Sequence, residues 1–278
     1  MAQFAELDTE GETLDATLNY FADTRVTPVT VVAAPGQSDQ RLGGAASDPH
    51  RVTLRNGRLH IGEFALEETG FRFVEHKTHV ADFYDEDEIR RVYYPEMVAL
   101  IMAEAGAKRV VVFDHTLRTA DDELRQAAKI REVVRRVHND YTDWSGPQRV
   151  RDLMGNEAEA LLQRRFAVIQ VWRPIRHPVE SWPLAIADAR TLSADDMVVT
   201  ERRYPDRVGQ TSAITWNPDH RWYWFPHMRA DEALVFKTFE SQKDGRARFT
   251  AHTAFEDPTT APHARARESI EIRALAFF

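Results

Sequence analysis

The string Val137-His138-Asn139-Asp140 places an imidazole and a carboxylate two positions apart. Residues i and i+2 of an extended strand point to the same face, so the side chains of His138 and Asp140 would converge on one side. Two such ligands can hold one metal ion, and a His from a distant strand would complete a set of two His and one carboxylate. This facial arrangement suits non-haem Fe(II) and leaves coordination positions open for other ligands.

A second cluster near the C-terminus could complete this site. His252 lies there, and Arg267 and Ser269 follow it after a loop that contains Pro258 and Pro262. We predict His252 as the distant metal ligand. A metal-bound 2-oxoglutarate needs a cation for its far carboxylate, and a hydroxyl on the same strand face can add a hydrogen bond to that carboxylate. Arg267 and Ser269 have the i, i+2 spacing that such an anchor requires.

Neither His-x-Asp nor Arg-x-Ser is specific by itself. Their combination with a distant His, all on predicted strands, is what favours a metal and cosubstrate site. Gln170, Trp172 and Arg173 lie on or just past a strand that could line this site, although core packing and an ordinary ion pair explain them equally well. Asp114 and His115 are adjacent, so on a strand they would point to opposite faces, which argues against a ligand pair.

The elements that must position these residues are mostly short strands rich in β-branched and aromatic residues. They are predicted over 27–34, 108–113, 133–140, 166–172, 233–239, 247–253 and 268–278. Two hairpins are also predicted. Strands 51–55 and 58–61 flank Asn56-Gly57, which favours a type I′ turn, and strands 213–216 and 221–225 flank Asn217-Pro218-Asp219.

Two helices are predicted beside these strands. The first runs from Pro95 to a stop at Gly106, and the second from Pro147 to Met154, before Gly155. Many short strands with few helices indicate a mainly β protein, a sandwich or double-sheet barrel with peripheral helices.

Composition excludes several classes of protein. The chain has 278 residues, a formal net charge of −8 and no cysteine, so disulfide scaffolds, Cys-based metal sites and thiol nucleophiles are ruled out. One domain over residues 1–278 is predicted, with N-terminal strands and a hairpin in 1–92 and a motif-bearing core in 93–278. The acidic balance and the lack of a long apolar run predict a cytoplasmic protein that binds neither nucleic acid nor membranes. Oligomeric state is not predicted.

Over roughly residues 93–278, the chain resembles a family of fungal and bacterial hydroxylase/desaturase proteins of secondary metabolism. The family includes gibberellin desaturase-like proteins, aspirochlorine-type hydroxylases and the cephamycin methoxylation accessory protein. The strings that carry the resemblance are His138-Asn139-Asp140-Tyr141-Thr142, Val171-Trp172-Arg173-Pro174, Trp182-Pro183-Leu184-Ala185, Asn217-Pro218-Asp219-His220-Arg221-Trp222-Tyr223 and Arg267-Glu268-Ser269-Ile270-Glu271.

This resemblance implies a double-stranded β-helix core (jelly-roll or cupin-like) and Fe(II)- and 2-oxoglutarate-dependent oxygenase activity. It implies His138, Asp140 and His252 as metal ligands and catalytic residues, and Arg267 with Ser269 as the cosubstrate anchor. O2 and a small-molecule substrate are the implied partners. Hydroxylation and desaturation are not separated by the sequence.

Three alternatives stay open. The apolar run 106–114 ends in an acid, as in nucleotide-binding folds, and would suit an S-adenosylmethionine-dependent methyltransferase, although no Gly-x-Gly-x-x-Gly is present. The same ligand set could belong to a non-catalytic metal-binding partner of another biosynthetic enzyme. A zinc hydrolase could also use two His and one Asp, but it would give Arg267 and Ser269 no role.

Overall fold

The computed structural model describes residues 11–22, 27–33, 40–42 and 47–278. In these ranges the strands, numbered in chain order, form one ten-stranded and one six-stranded sheet. None of the helices described there is long and apolar enough to span a membrane.

The six-stranded sheet contains the strand that carries Ser269. Its spatial order is β5 (Phe71–Glu75), β14 (Glu232–Glu240), β9 (Phe166–Pro174), β16 (Glu268–Phe277), β6 (Arg109–Thr119) and β7 (Arg131–Glu132). Neighbouring strands are antiparallel, except for the parallel pair β6 and β7.

The ten-stranded sheet contains the two candidate His ligands. Its spatial order is β1 (Thr13–Phe21), β4 (Ser47–Asn56), β13 (Trp222–Trp224), β10 (Leu184–Ala187), β15 (His252–Ala254), β8 (His138–Asn139), β12 (Val208–Ile214), β11 (Met197–Arg203), β2 (Val29–Val31) and β3 (Gln40–Leu42). Here β13 and β4 are parallel, as are β11 and β2.

The chain passes back and forth between the two sheets. Along the chain, β6 and β7, then β9, β14 and β16 belong to the six-stranded sheet. Between them, β8, the run from β10 to β13, and β15 belong to the ten-stranded sheet. This connectivity is that of a double-stranded β-helix, or jelly roll. The predicted fold class is therefore confirmed.

The helices lie outside the sheets. They are α1 (Glu86–Glu88), a π-helical segment (Ile89–Tyr93), α2 (Tyr94–Ala105), α3 (Asp122–Ala127), α4 (Ser145–Met154) and α5 (Ala158–Leu162), with 3-10 turns at Gly57–Glu63, Gly155–Glu157, Ala189–Thr191 and Ala194–Asp196. Met97 and Ile101 of α2 pack on the outward-facing Ile272 and Ala274 of β16. Because the apolar residues of β16 face this helix, its alternate residues face the other sheet.

A second apolar cluster fills part of the space between the sheets. It joins Trp172 and Phe236 of the six-stranded sheet to Ile186 and Tyr223 of the ten-stranded sheet. The ring of Phe236 also lies 4.9 Å, centroid to centroid, from that of His252. This packing fixes one wall of the candidate site.

Both predicted hairpins are wrong. Asn56 ends β4 with an extended backbone (φ −66°) and caps the 3-10 helix Gly57–Glu63 by accepting a hydrogen bond from the Arg58 N–H. A type I′ turn needs positive φ at its central residues, so it cannot form here. Gly57 is needed because a Cβ there would lie 2.6 Å from the ring of Phe225.

The strands on either side of Asn217-Pro218-Asp219 also fail to pair. β12 (Val208–Ile214) pairs with β11 and β8, while β13 (Trp222–Trp224) pairs with β10 and β4. The turn signal was sound, but it joins strands that lie apart in the sheet. Local sequence cannot show which partner a strand takes.

Other boundaries differ less. The first helix spans Tyr94–Ala105, with Gly106 left-handed (φ 67°) at its C-cap, as predicted. The second spans Ser145–Met154, so it begins before the predicted Pro147. Strand structure within 133–140 and 247–253 is confined to His138–Asn139 and to a strand from His252 to Ala254. The predicted strand 27–34 is formed at Val29–Val31, and position 34 lies outside the described residues.

Candidate metal centre

The three predicted ligands come together because their strands are neighbours. The register of β15 and β8 places His252 directly opposite His138, and Asp140 follows β8 by one residue. One potential ligand atom from each of the three residues lies within 4.8 Å of the others. The two imidazole rings are 4.3 Å apart, centroid to centroid, and tilted by 52°. This spacing suits a single shared ion.

Hydrogen bonds to the backbone fix the tautomer of each imidazole. His138 Nδ1 lies 2.8 Å from the Arg136 carbonyl oxygen, and His252 Nδ1 lies 3.1 Å from that of Thr250. A carbonyl oxygen only accepts, so each Nδ1 carries the proton and each Nε2 keeps a lone pair. His252 Nε2 is buried and has no hydrogen-bond partner. An orphaned acceptor of this kind fits a metal ion.

Burial, with a further contribution from the neighbouring imidazole of His138, lowers the pKa of His252 to about 3. Its imidazole is therefore neutral at ordinary pH, which is the form that binds metals.

One carboxylate oxygen of Asp140 faces the two His residues, and the other accepts hydrogen bonds from side chains of the six-stranded sheet. Its Oδ2 accepts hydrogen bonds from Gln170 Nε2 at 2.7 Å and from Arg273 Nε at 3.0 Å. Its Oδ1 lies 3.4 Å from His138 Nε2. Burial by itself would raise the pKa of Asp140, but the charge of Arg273 holds it well below its ordinary value. The carboxylate is therefore ionised, with Oδ1 as the free ligand atom.

Ser269 lies at the start of β16, on the opposite sheet, and Arg267 immediately precedes that strand. Arg267 is 2% exposed, and its NH1 donates to the Trp182 carbonyl oxygen at 2.6 Å. Its Cζ lies 5.3 Å from the centre of the Trp172 ring. Burial and the charge of Arg118 lower the pKa of Arg267 to about 9. The guanidinium is thus a buried cation at ordinary pH.

No carboxylate lies within ion-pair distance of Arg267 in the part of the chain that is described. Its Nε has no hydrogen-bond partner, and neither has the buried hydroxyl of Ser269. An uncompensated buried cation is costly, so this pair of orphaned donors fits an anionic ligand such as a carboxylate.

From the sequence, Gln170 and Trp172 could equally belong to the packed core or to the site. The structure places Gln170 on Asp140, with its own Oε1 unpartnered, and Trp172 beside Arg267. Arg173, by contrast, points away and donates to the carbonyl oxygens of His76 and Ala230. Alternation along β9 separates these neighbours.

Arg273 was missed entirely. Besides Asp140, its guanidinium binds Asp114 Oδ2 at 3.1 Å, Thr116 Oγ1 at 2.9 Å and the carboxylate of Glu271. A signal was available in β16, where Glu271 and Arg273 continue the inward face of Ser269. What the sequence could not show is that this face meets Asp140.

Comparisons with known proteins agree with this geometry. A family model described as "Oxidoreductase/YMDC permease-like domain" matches residues 18–277. The alpha-ketoglutarate-dependent dioxygenase phiK of a fungal species is 31% identical, over 98% of this chain and 99% of its own. The hydroxylase/desaturase efuI of Hormonema carpetanum is also 31% identical, over 97% of this chain and 96% of its own.

A solved structure shows the same fold. The iron and alpha-ketoglutarate-dependent endoperoxidase NvfI superposes with a TM-score of 0.84 at 27% identity, covering 96% of this chain and 98% of its own. Among proteins similar in sequence, the Fe(II)/2-oxoglutarate-dependent dioxygenase nvfI of Aspergillus novofumigatus is 32% identical to this chain, over 91% of this chain and 89% of its own. Alpha-ketoglutarate and 2-oxoglutarate are the same compound. This chain therefore belongs to the family of Fe(II)- and 2-oxoglutarate-dependent dioxygenases that includes the hydroxylase/desaturases of fungal secondary metabolism.

Proposed function

We propose that this chain binds Fe(II) through His138, Asp140 and His252 and binds 2-oxoglutarate through Arg267 and Ser269. With O2, it hydroxylates or desaturates a small molecule of the kind made in secondary metabolism. The observation that carries the proposal is the buried, unpartnered Nε2 of His252, aimed at the ligand atoms of the other two residues.

The protein's part in metal binding is to aim three ligand atoms. The Nδ1–H groups of His138 and His252 are tied to backbone carbonyls, which holds both Nε2 lone pairs toward the same point. Gln170 and Arg273 occupy Asp140 Oδ2, so a bound metal would be offered only Oδ1. One carboxylate oxygen would leave more coordination positions for cosubstrate and O2 than two.

Fe(II) held by His138, Asp140 and His252 would supply O2 activation, coupled to oxidative decarboxylation of 2-oxoglutarate to succinate and CO2 and to oxidation of a substrate C–H bond. Arg267 and Ser269 orient the cosubstrate by taking its far carboxylate. Trp172 covers one face of the Arg267 guanidinium and keeps water from it.

The structure weighs against the methyltransferase alternative. Residues 109–113 belong to β6, which is antiparallel to β16, whereas a nucleotide-binding strand of this type lies in a parallel sheet. A zinc hydrolase leaves the orphaned donors of Arg267 and Ser269 unexplained.

Uncoupled turnover tests the proposal against a non-catalytic metal-binding role. The purified protein with Fe(II) and O2 should convert 2-oxoglutarate slowly to succinate without any added substrate. His138→Ala and Asp140→Ala should abolish this conversion, and an exposed change such as His79→Ala should not. Succinate formation at background level in the parent protein would contradict catalysis.

A further inference from the structure

Arg118 stands beside the proposed cosubstrate anchor. The register of β16 and β6 pairs Ser269 directly with Arg118. Side chains of directly opposed residues lie on the same face of a sheet. Arg118 therefore projects toward the ten-stranded sheet from the strand next to Ser269, while Arg267 precedes Ser269 by two residues, just before β16.

Neither guanidinium has an anionic partner. Arg118 donates from NH1 to the Glu132 carbonyl oxygen at 2.9 Å, and Arg267 donates to the Trp182 carbonyl oxygen. Within the described residues, no carboxylate oxygen lies within 4.0 Å of either group. Two arginines thus flank one orphaned hydroxyl, that of Ser269.

The charge of Arg118 also acts on Arg267. Arg118 is one of the groups that lower the pKa of Arg267, after burial itself. The charge of Glu271 favours the charged form of both Arg118 and Arg267. The Glu271 carboxylate, however, forms its ion pair with Arg273. The protein therefore keeps two repelling cations together without neutralising them.

An arrangement of this kind is costly unless a ligand supplies the missing charge. A carboxylate on the Ser269 hydroxyl has two oxygens, one for each flanking guanidinium, and charge-assisted hydrogen bonds of this type are the strong ones. We infer that Arg118 is a second cosubstrate-binding residue and that the far carboxylate of 2-oxoglutarate lies between Arg118 and Arg267. The inference rests on the proposed function.

The test measures binding and needs no turnover. The protein is loaded with Mn(II), and dissociation constants are measured by isothermal titration calorimetry for 2-oxoglutarate and for 2-oxopentanoate, which chelates in the same way but lacks the far carboxylate. Arg118→Gln should raise the constant for 2-oxoglutarate by about tenfold to a hundredfold, and leave that for 2-oxopentanoate unchanged. Arg118→Lys should restore part of the affinity.

Arg125→Gln is the matched control. Arg125 pairs with the exposed Asp122 on α3, so its loss removes the same charge away from the anchor. It should leave both constants unchanged.

The outcomes separate the inference from the function on which it rests. Parent protein that binds neither 2-oxo acid would contradict the proposed function itself. If the parent binds 2-oxoglutarate and Arg118→Gln binds it equally well, the inference is wrong and the function stands. An equal loss for both ligands in Arg118→Gln would also overturn it, since that pattern indicates a structural role through Glu132.

Discussion

Two arginines on the inward face at β16, Arg273 and Arg267, differ in whether carboxylates of the protein neutralise them. Arg273 is surrounded by carboxylates, those of Asp140, Asp114 and Glu271. Burial opposes its charge, but these carboxylates raise the pKa of Arg273 well above its ordinary value. Arg267 is more deeply buried, at 2% exposure against 12% for the side chain of Arg273, and has no carboxylate within ion-pair distance among the described residues. The pKa of Arg267 is lowered to about 9.

Arg273 forms its ion pairs within the protein, whereas Arg267 is proposed to form its ion pair with a bound ligand. Arg273 pairs with the carboxylate of Asp140, the proposed metal ligand, so the interactions of Arg273 are already made in the free protein. Arg267 is buried without an ion-pair partner among the described residues, which is costly. Stability and ligand binding should therefore respond oppositely when each arginine is removed.

The largest effect is expected from Arg273→Gln. Removing this cation leaves buried carboxylates unpaired, which costs about 3–5 kcal/mol of unfolding free energy. Thermal or urea denaturation of the metal-free protein measures the loss. A variant as stable as the parent would show that the Arg273 cluster does not hold the fold, and would break the contrast with Arg267.

Arg267→Ala should behave in the reverse manner. We expect the Michaelis constant for 2-oxoglutarate to rise about a hundredfold, since a buried charge-assisted contact worth about 3 kcal/mol is lost. The unfolding free energy of the metal-free protein should change by less than that of Arg273→Gln. An unchanged Michaelis constant would show that Arg267 does not bind the far carboxylate of 2-oxoglutarate.

Gln170→Leu tests the second group that holds Asp140. Leucine keeps the volume but loses the hydrogen bond to Oδ2. Loss of an outer partner of a metal ligand lowers metal affinity by about tenfold to a hundredfold. Calorimetric titration with Mn(II) measures the metal affinity. An unchanged affinity would show that Gln170 does not support metal binding.

The smallest effect is expected from Ser269→Ala. One neutral donor contributes about 1 kcal/mol, so the Michaelis constant for 2-oxoglutarate should rise about fivefold. Metal affinity should stay that of the parent, in contrast to Gln170→Leu. A change in Mn(II) affinity would place the hydroxyl nearer to the metal than to the far carboxylate.

The sequence predicted those parts of the molecule that depend on local chemistry. The i, i+2 spacing of His138 and Asp140 needs only an extended backbone, and Gly106 ends its helix through its own left-handed conformation. The fold class followed from the resemblance and from the abundance of short strands.

The remainder depends on contacts between distant segments. Asn56-Gly57 had the residues of a tight turn, but packing of Gly57 against Phe225 and capping by Asn56 favoured a 3-10 helix. Arg273 meets Asp140 only because β16 and β8 lie on facing sheets. No local pattern encodes that meeting.

The most direct test of the central claim is anaerobic titration of the protein with Fe(II) and 2-oxoglutarate, followed by visible absorption. Chelation of iron by the 2-oxo acid in the site of His138, Asp140 and His252 should give a charge-transfer band. Arg267→Ala should give the same band, but only at much higher 2-oxoglutarate. Absence of the band in the parent protein, with both ligands in excess, would contradict the account.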